Sequence, residues 1–259
     1  MTTTVDAASG RIRTSALRKL ITTEGKLFLR VPVVPFWGIG FPLIGLLVFG
    51  FIPGTNQADP QLGGFSVLET YLPIIITFTA VFTGINFLPA TLALYRERGI
   101  LRRLSTTPVA PSQLLTAQLI LIASVQVVTM IVVEVVAAVA FSAHLPRQPI
   151  GFVVAFVLAV GAADAVGLLI AAVCWTGKAA NAVGGLLFFV LMFFSGLWWP
   201  RAEMPGVLRH ISDFTPMGSG VQALQDAAAG HWPAPLNLAV TAGYMVVCGL
   251  LASRLFRWE

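Results

Sequence analysis

The chain has 259 residues, of which 57% are hydrophobic and only 10% charged, with a mean hydropathy of +0.86. Soluble domains hold about 45–50% apolar and about 25% charged residues, so this composition excludes a soluble enzyme or binding domain and reads as an integral membrane protein. The formal charge of +5 points to nucleic acid only where basic residues gather on one soluble face; here they follow membrane sidedness, and nucleic acid is excluded as a partner.

Residues Arg11 to Arg30 come first, with Ile12, Leu17, Leu20, Ile21, Leu27 and Phe28 at near-helical spacing and the Lys and Arg residues largely elsewhere on the wheel. That pattern predicts an amphipathic helix lying in the membrane interface, the other reading being a solvated basic tail. No short apolar region followed by a small-residue cleavage site precedes it, so the first span is expected to insert uncleaved. Pro32 and Pro35 are expected to break this helix and turn the chain into the membrane. Residues 1–32 are thus read as a cytoplasmic tail with an interfacial helix, and 33–259 as one transmembrane domain.

Six apolar runs follow, near Val33–Ile52, Leu68–Leu94, Ser112–Phe141, Ile150–Trp175, Asn181–Trp199 and Leu236–Phe256. Each approaches or exceeds the roughly 20 residues a membrane helix needs, far beyond the roughly 9–11 of a barrel strand. The expected fold is all-α and polytopic, with six transmembrane helices. Of the 16 Lys and Arg residues, 13 fall on the side of the termini and only Arg147, Arg201 and Arg209 on the other. The positive-inside rule places both termini in the cytoplasm and the chain in the cell (plasma) membrane, with the lipid bilayer as its first partner.

The connections differ in character. Residues 96–108, Arg-Glu-Arg-Gly-Ile-Leu-Arg-Arg-Leu-Ser-Thr-Thr-Pro, form an island of charge between the second and third runs. Ile100, Leu101 and Leu104 share one helical face, Arg98 and Arg102 lie four apart on another, and Pro108 with Pro111 ends the segment. An apolar ridge with charged edges predicts a short cytoplasmic helix offered to a partner. The long connection 200–235, on the opposite side, carries Met204, Val207, Leu208, Ile211, Phe214, Met217, Val221 and Leu224, punctuated by Pro205 and Pro216. It is expected to fold as two short amphipathic helices dipping toward the membrane.

The chemistry-bearing residues are few. A P-loop needs G-x-x-x-x-G-K-[ST]; Gly25-Lys26 and Gly177-Lys178 are followed by Leu27 and Ala179, so no such nucleotide site is read here. His144, His210 and His231 lack metal-ligand spacing, Ser195 lacks the flanking glycine of a nucleophile elbow, and Cys174 and Cys248 read as small buried hydrophobes. No metal and no catalytic residue is expected. Glu134 and Asp164 fall inside spans, where a carboxylate costs at least about 2.5–3.5 kcal/mol. They read either as a proton or cation relay or as packed polar groups, with Gln126 and Thr129 as bonding partners on the span of Glu134. Asn86 reads as helix glue or as a substrate contact. Phe188, Phe189, Phe193 and Phe194 either face lipid or line a path for flat, apolar molecules, with Trp198 and Trp199 as an interfacial belt.

Three motifs together resemble the membrane subunits of ABC-2 type ATP-binding-cassette transporters, in particular the bacterial drug-export branch related to daunorubicin-resistance permeases. The segment Glu97 to Pro108 is similar to the family's coupling helix, which docks on the ATPase subunit. Glu24, Arg30 and Pro32 with Pro42 resemble the entry helix and proline-bearing first span, although Val31 replaces an acidic residue common there. Gly196 to Pro200, Met204-Pro205, Leu208 and Pro216 resemble the outer segment where the family folds two re-entrant helices.

The resemblance implies a dimer of permeases, a second copy or a paralogue, served by two cytoplasmic ABC ATPase subunits that hold ATP and Mg, with no cofactor on this chain. It implies that Glu97, Arg98, Leu101, Arg102, Leu104 and Pro108 couple to the ATPase, and that Pro200, Met204, Pro205 and Pro216 belong to an outer lid. Substrate would pass between the first, second and fifth spans, which makes Asn86, Phe188 and Phe193 the expected contacts. The implied function is export of amphiphilic drugs or lipid-like molecules. A proton-coupled secondary transporter using Glu134 and Asp164, a glycolipid exporter and a non-transporting assembly or sensor protein are the alternatives.

Overall fold

The computed structural model describes residues 19–59, 64–100 and 111–256. Helix α1 covers residues 19–30. After a turn at Val31 and Pro32 come α2 (Val33–Phe51), a two-residue hairpin of β1 (Ala58–Asp59) and β2 (Phe65–Ser66), and α3 (Val67–Glu97). Then follow α4 (Pro111–Phe141), α5 (Pro149–Val173), α6 (Gly177–Phe194), a 3₁₀ turn at Arg201–Glu203, α7 (Gly206–Asp213), α8 (Pro216–Ala228) and α9 (Pro235–Leu255). Six of these helices, α2 to α6 and α9, are long and apolar enough to cross a membrane. The molecule is an all-α, multi-pass membrane protein.

Local chemistry sets the helix starts. Ser66 caps α3: its hydroxyl accepts from the Glu69 N–H at 3.2 Å while Glu69 Oε2 accepts from the Ser66 N–H at 2.7 Å. This reciprocal box satisfies two otherwise orphaned donors. Thr176 caps α6 and Thr215 caps α8 in the simpler one-bond form. Proline stands in the first turn of α5, α8 and α9, where a missing N–H costs nothing.

Two spans depart from α geometry, and proline explains where. In α2 the stretch Phe36–Gly40 is a π-helix followed by Pro42, which has no N–H for the Gly38 carbonyl four residues back. That carbonyl accepts the hydroxyls of Thr79 on α3 at 3.0 Å and Thr129 on α4 at 3.1 Å. The bond a proline removes therefore becomes a joint between three spans. In α3 the stretch Phe82–Phe87 is a π-helix, the Leu88 N–H reaches Thr83 O, and Pro89 follows with no N–H. Gly84 and Ile85 consequently present bare backbone to their neighbours, Gly167 on α5 and Gly184 on α6.

Helix α3 is the central element, buried along most of its length, and packs against α2, α4, α5 and α6. Helix α8 is likewise buried, between α5 and α9. By contrast α4 turns Val127, Val128, Ile131, Val135 and Val139 outward, as a lipid-facing helix must.

Three expectations need correction. Pro35 does not break a helix; it lies in the first turn of α2, and the break falls at Val31–Pro32. The fifth span runs from Gly177 to Phe194, not from Asn181 to Trp199, because Thr176 caps it and Gly196 ends it at a φ of +93° that non-glycine residues resist. Finally, Gln126 and Thr129 do not serve Glu134. Gln126 Nε2 donates to Asp164 Oδ1 at 3.1 Å and to Thr83 Oγ1 at 3.0 Å, and Thr129 is engaged by Gly38. Glu134 lies about two helical turns further along α4 than Gln126, out of reach of that network.

Candidate functional site

An open groove of about 540 Å³ runs between α2, α3 and α6. Trp37, Phe41, Pro42 and Phe49 form one wall, Ile75, Phe78, Phe82 and Asn86 the second, and Gly185, Phe188 and Phe189 the third, with Leu197 and Trp198 beyond the end of α6. The aromatic rings are interlocked. Phe41 stacks on Phe78 at 4.7 Å and Trp37 on Phe82 at 5.6 Å, while Phe188 meets Phe78 edge-on at 5.4 Å and Phe82 at 6.3 Å. Such pairs contribute about 0.5–1.5 kcal/mol each beyond their buried area. Among the described residues no ionisable side chain lines the groove, which offers a flat apolar surface and one amide.

That amide is Asn86, at the junction with a second cavity of about 450 Å³ toward the α1 face. There the lining turns polar, with Thr91, Glu97, Lys178 and Asn181. At the opposite end, Tyr71 stacks on Phe49 at 4.7 Å and also lines a cavity of about 650 Å³ with Arg201, Glu203 and Arg209. An apolar waist thus lies between two polar mouths.

Of the residues expected to meet substrate, Asn86 and Phe188 lie in this groove, but Phe193 does not line it and packs edge-on against Phe194 at 5.3 Å. Phe189 lines the groove with Gly185 and Phe188, at i, i+3 and i+4 on one face, whereas Phe193, on the same face at i+8, lies one turn further along α6. Asp164 does not line the groove either; it belongs to the Thr83–Gln126–Asp164 network between α3, α4 and α5.

The expected lid residues fall on segment 200–216, of which Pro200, Arg201, Glu203 and Arg209 line the far mouth. Pro200 lines that cavity, Met204 is buried, Pro205 precedes α7 and Pro216 opens α8. Arg201 pairs with Asp213 and donates to Ser212 Oγ at 2.9 Å, and the Ser212 hydroxyl donates to Phe194 O at 2.7 Å. The segment is tied in this way to the end of α6.

At the other end of the bundle, Leu101, Arg102, Leu104 and Pro108 lie outside the described residues, but the base that carries them is defined. Glu97, the last residue of α3, accepts the Gly177 N–H that opens α6 at 3.2 Å. Arg98 follows, then Gly99 at a φ of +66°, which ends the helix. Arg96 donates to Cys174 O at 3.2 Å and lies over the rings of Trp175, at 5.8 Å, and Phe256, at 4.9 Å, cation–π contacts that draw α5 and α9 to the foot of α3. On the other flank, Glu24 of α1 accepts from Tyr95 Oη at 2.9 Å and from Gln118 Nε2 on α4 at 2.6 Å. Burial raises the Glu24 carboxyl above its ordinary value, against the two hydrogen bonds that favour the carboxylate. Arg30 and Pro32 are exposed at the end of α1 and the turn after it. Sequence reasoning missed Arg96, Tyr95 and Gln118 as anchors, since nothing local marks a partner 70 to 95 residues away in sequence.

A bundle of six membrane helices with an apolar groove between three of them defines a multi-pass membrane protein. Residues 15–228 match the family model of the ABC-2 type transporter, and the chain belongs to that family. No curated protein sequence matches it. The membrane domain of this family is a permease component rather than a catalytic one, and it works with ABC ATPase partners in the membrane.

Proposed function

We propose that this chain is the membrane-spanning permease subunit of an exporter that moves amphiphilic, largely apolar molecules, drugs or antibiotics among them, using ATP hydrolysed by separate subunits. The observation that carries the reading is the aromatic groove: interlocked rings, one amide at Asn86 and no charge suit a flat apolar body. The polar mouths suit the hydrophilic end of an amphiphile.

In this reading two ABC ATPase subunits bind ATP and Mg and act on residues 96–108. Glu97, Arg98, Leu101, Arg102, Leu104 and Pro108 form the docking surface, and a second permease copy or a paralogue completes the passage. The links at its base support transmission. Motion of the segment pulls on α3 directly, on α6 through Glu97, on α5 and α9 through Arg96, and on α1 and α4 through Glu24. Further along, α3 and α6 wall the groove. The excess of basic residues on the α1 side supports a cytoplasmic orientation of that face, and with it an outer lid that includes Pro200, Met204, Pro205 and Pro216.

The test is ATP-dependent accumulation of a fluorescent amphiphile in inside-out vesicles that carry the chain and its ATPase. Accumulation that needs ATP supports the reading; accumulation driven by a proton gradient alone transfers it to a secondary transporter, and accumulation of labelled phospholipid but no drug narrows it to lipid export.

A further inference from the structure

On the face that bears α7 and α8, away from the groove, a cavity of about 240 Å³ lies between the start of α3, α4, the turn before α5 and α8. Glu69, Glu134, Asp226, His144, Gln222 and Gln225 line it. Three of these are acids, and all but one acid are already engaged. Glu69 Oε1 accepts from the His144 N–H at 2.8 Å, with His144 Nδ1 at 2.7 Å, and its Oε2 accepts from Ser66 N. Asp226 accepts from Gln222 Nε2 and from the Ala234 N–H, both at 3.2 Å. Glu134 is the exception: it is only 9% exposed, lines the cavity and makes no hydrogen bond with another described residue.

Among the described residues no Lys or Arg lines the cavity, and the nearby Arg147 lies over the ring of Phe65 at 4.8 Å. A buried carboxylate without a partner is costly, and a cation that hydrogen-bonds to it offsets part of that cost. The kind of cation follows from the donors. Among the described residues no three His, Cys, Asp or Glu side chains are grouped to hold a metal ion. One free carboxylate, the amide oxygen of Gln225 whose Nε2 is spent on Thr70 O at 3.0 Å, and the apolar Phe65, Leu72 and Pro73 suit an alkylammonium group instead.

We propose that this cavity binds a small organic ammonium ion, its N–H groups donating to Glu134 and its alkyl part resting on Phe65, Leu72 and Pro73. Because Gln222, Gln225 and Asp226 belong to α8 and Glu134 to α4, the ion bridges the two and holds α8 against the bundle. The site shares no residue with the aromatic groove, so it stands or falls independently of what passes there.

The test is equilibrium binding of radiolabelled ethylammonium to the full chain purified in a neutral maltoside detergent, which has no ammonium headgroup of its own. The expected result is saturable binding of one ion per chain, weakened at least tenfold by Glu134→Gln and abolished by Ala229→Phe, which fills the void from the opposite wall. Melting curves confirm that the variants fold; if Glu134→Gln does not, Ala229→Phe alone carries the comparison. Absence of saturable binding to the unmodified chain, equal binding by either folded variant, or displacement by sodium at equal concentration overturns the proposal.

Discussion

Gly84 and Gly167 meet so closely that a Cβ on Gly167 would lie 1.8 Å from the Gly84 carbonyl oxygen. This contact between α3 and α5 exists because the π-helix and Pro89 leave the Gly84 carbonyl uncovered on the side of α5. It fixes the depth to which α3 sinks into the bundle, and α3 carries both the groove wall and the coupling base.

Gly167→Ala therefore forces two backbones apart. Overpacking of this kind costs about 1–3 kcal/mol, and the expected outcome is a clearly lowered melting temperature in detergent. Gly243→Ala on α9, where a Cβ meets nothing within 4 Å, is the matched comparison; it is expected to be neutral or stabilising by up to about 1 kcal/mol.

The Asp164 network gives a second pair. Asp164→Asn keeps an acceptor for Gln126 Nε2, whereas Asp164→Ala leaves a buried donor unsatisfied at a cost of about 1–3 kcal/mol. The Ala variant is expected to melt lower and the Asn variant to keep export. Loss of export in a stably folded Asn variant would instead return Asp164 to a proton relay.

Glu24 makes stability depend on pH. Its carboxyl is raised in the folded chain, so the folded state holds its proton over a range in which the unfolded state has already released it. The contribution to stability is most favourable below the ordinary carboxylate value, falls as pH rises from there through the raised folded value, and stays low above it. Melting between about pH 4 and about pH 8 is expected to show this fall in the unmodified chain and a smaller one in Glu24→Gln.

In the groove, Phe188→Ala removes the ring that closes edge-on over Phe78 and Phe82. At about 0.5–1.5 kcal/mol for the loss of one ring against an aromatic ligand, the concentration of amphiphile for half-maximal transport is expected to rise between about threefold and about tenfold. Phe193→Ala, outside the groove, is expected to leave it within about twofold.

Much of this architecture was legible in the chain itself. Six apolar runs gave six spans, since hydrocarbon leaves the backbone no alternative to helix. Boundaries were read less well where caps decide them: Thr176 moved the start of α6, and the Ser66–Glu69 box, a recognisable S-x-x-E, went unread. The groove was half visible. Asn86 and Phe188 are in it, but Phe189 and Phe193 share one helix face a turn apart, and spacing along an apolar span does not say at which level the groove ends. Glu134 and Asp164 showed as costly acids, yet nothing local says that Gln126 turns to Asp164 on another span while Glu134 is left alone.

Coupling through residues 96–108 is central to ATP-driven export by this chain, and one variant tests it. Glu97 is unsuited, since it also holds the start of α6 through Gly177. Arg102→Glu, measured by ATP-dependent accumulation of the amphiphile in inside-out vesicles with the ATPase co-expressed, is the direct measurement. The variant is expected to insert and melt normally but to lose ATP-driven transport or its bound ATPase. Full ATP-driven transport with the ATPase still bound would contradict coupling through this segment.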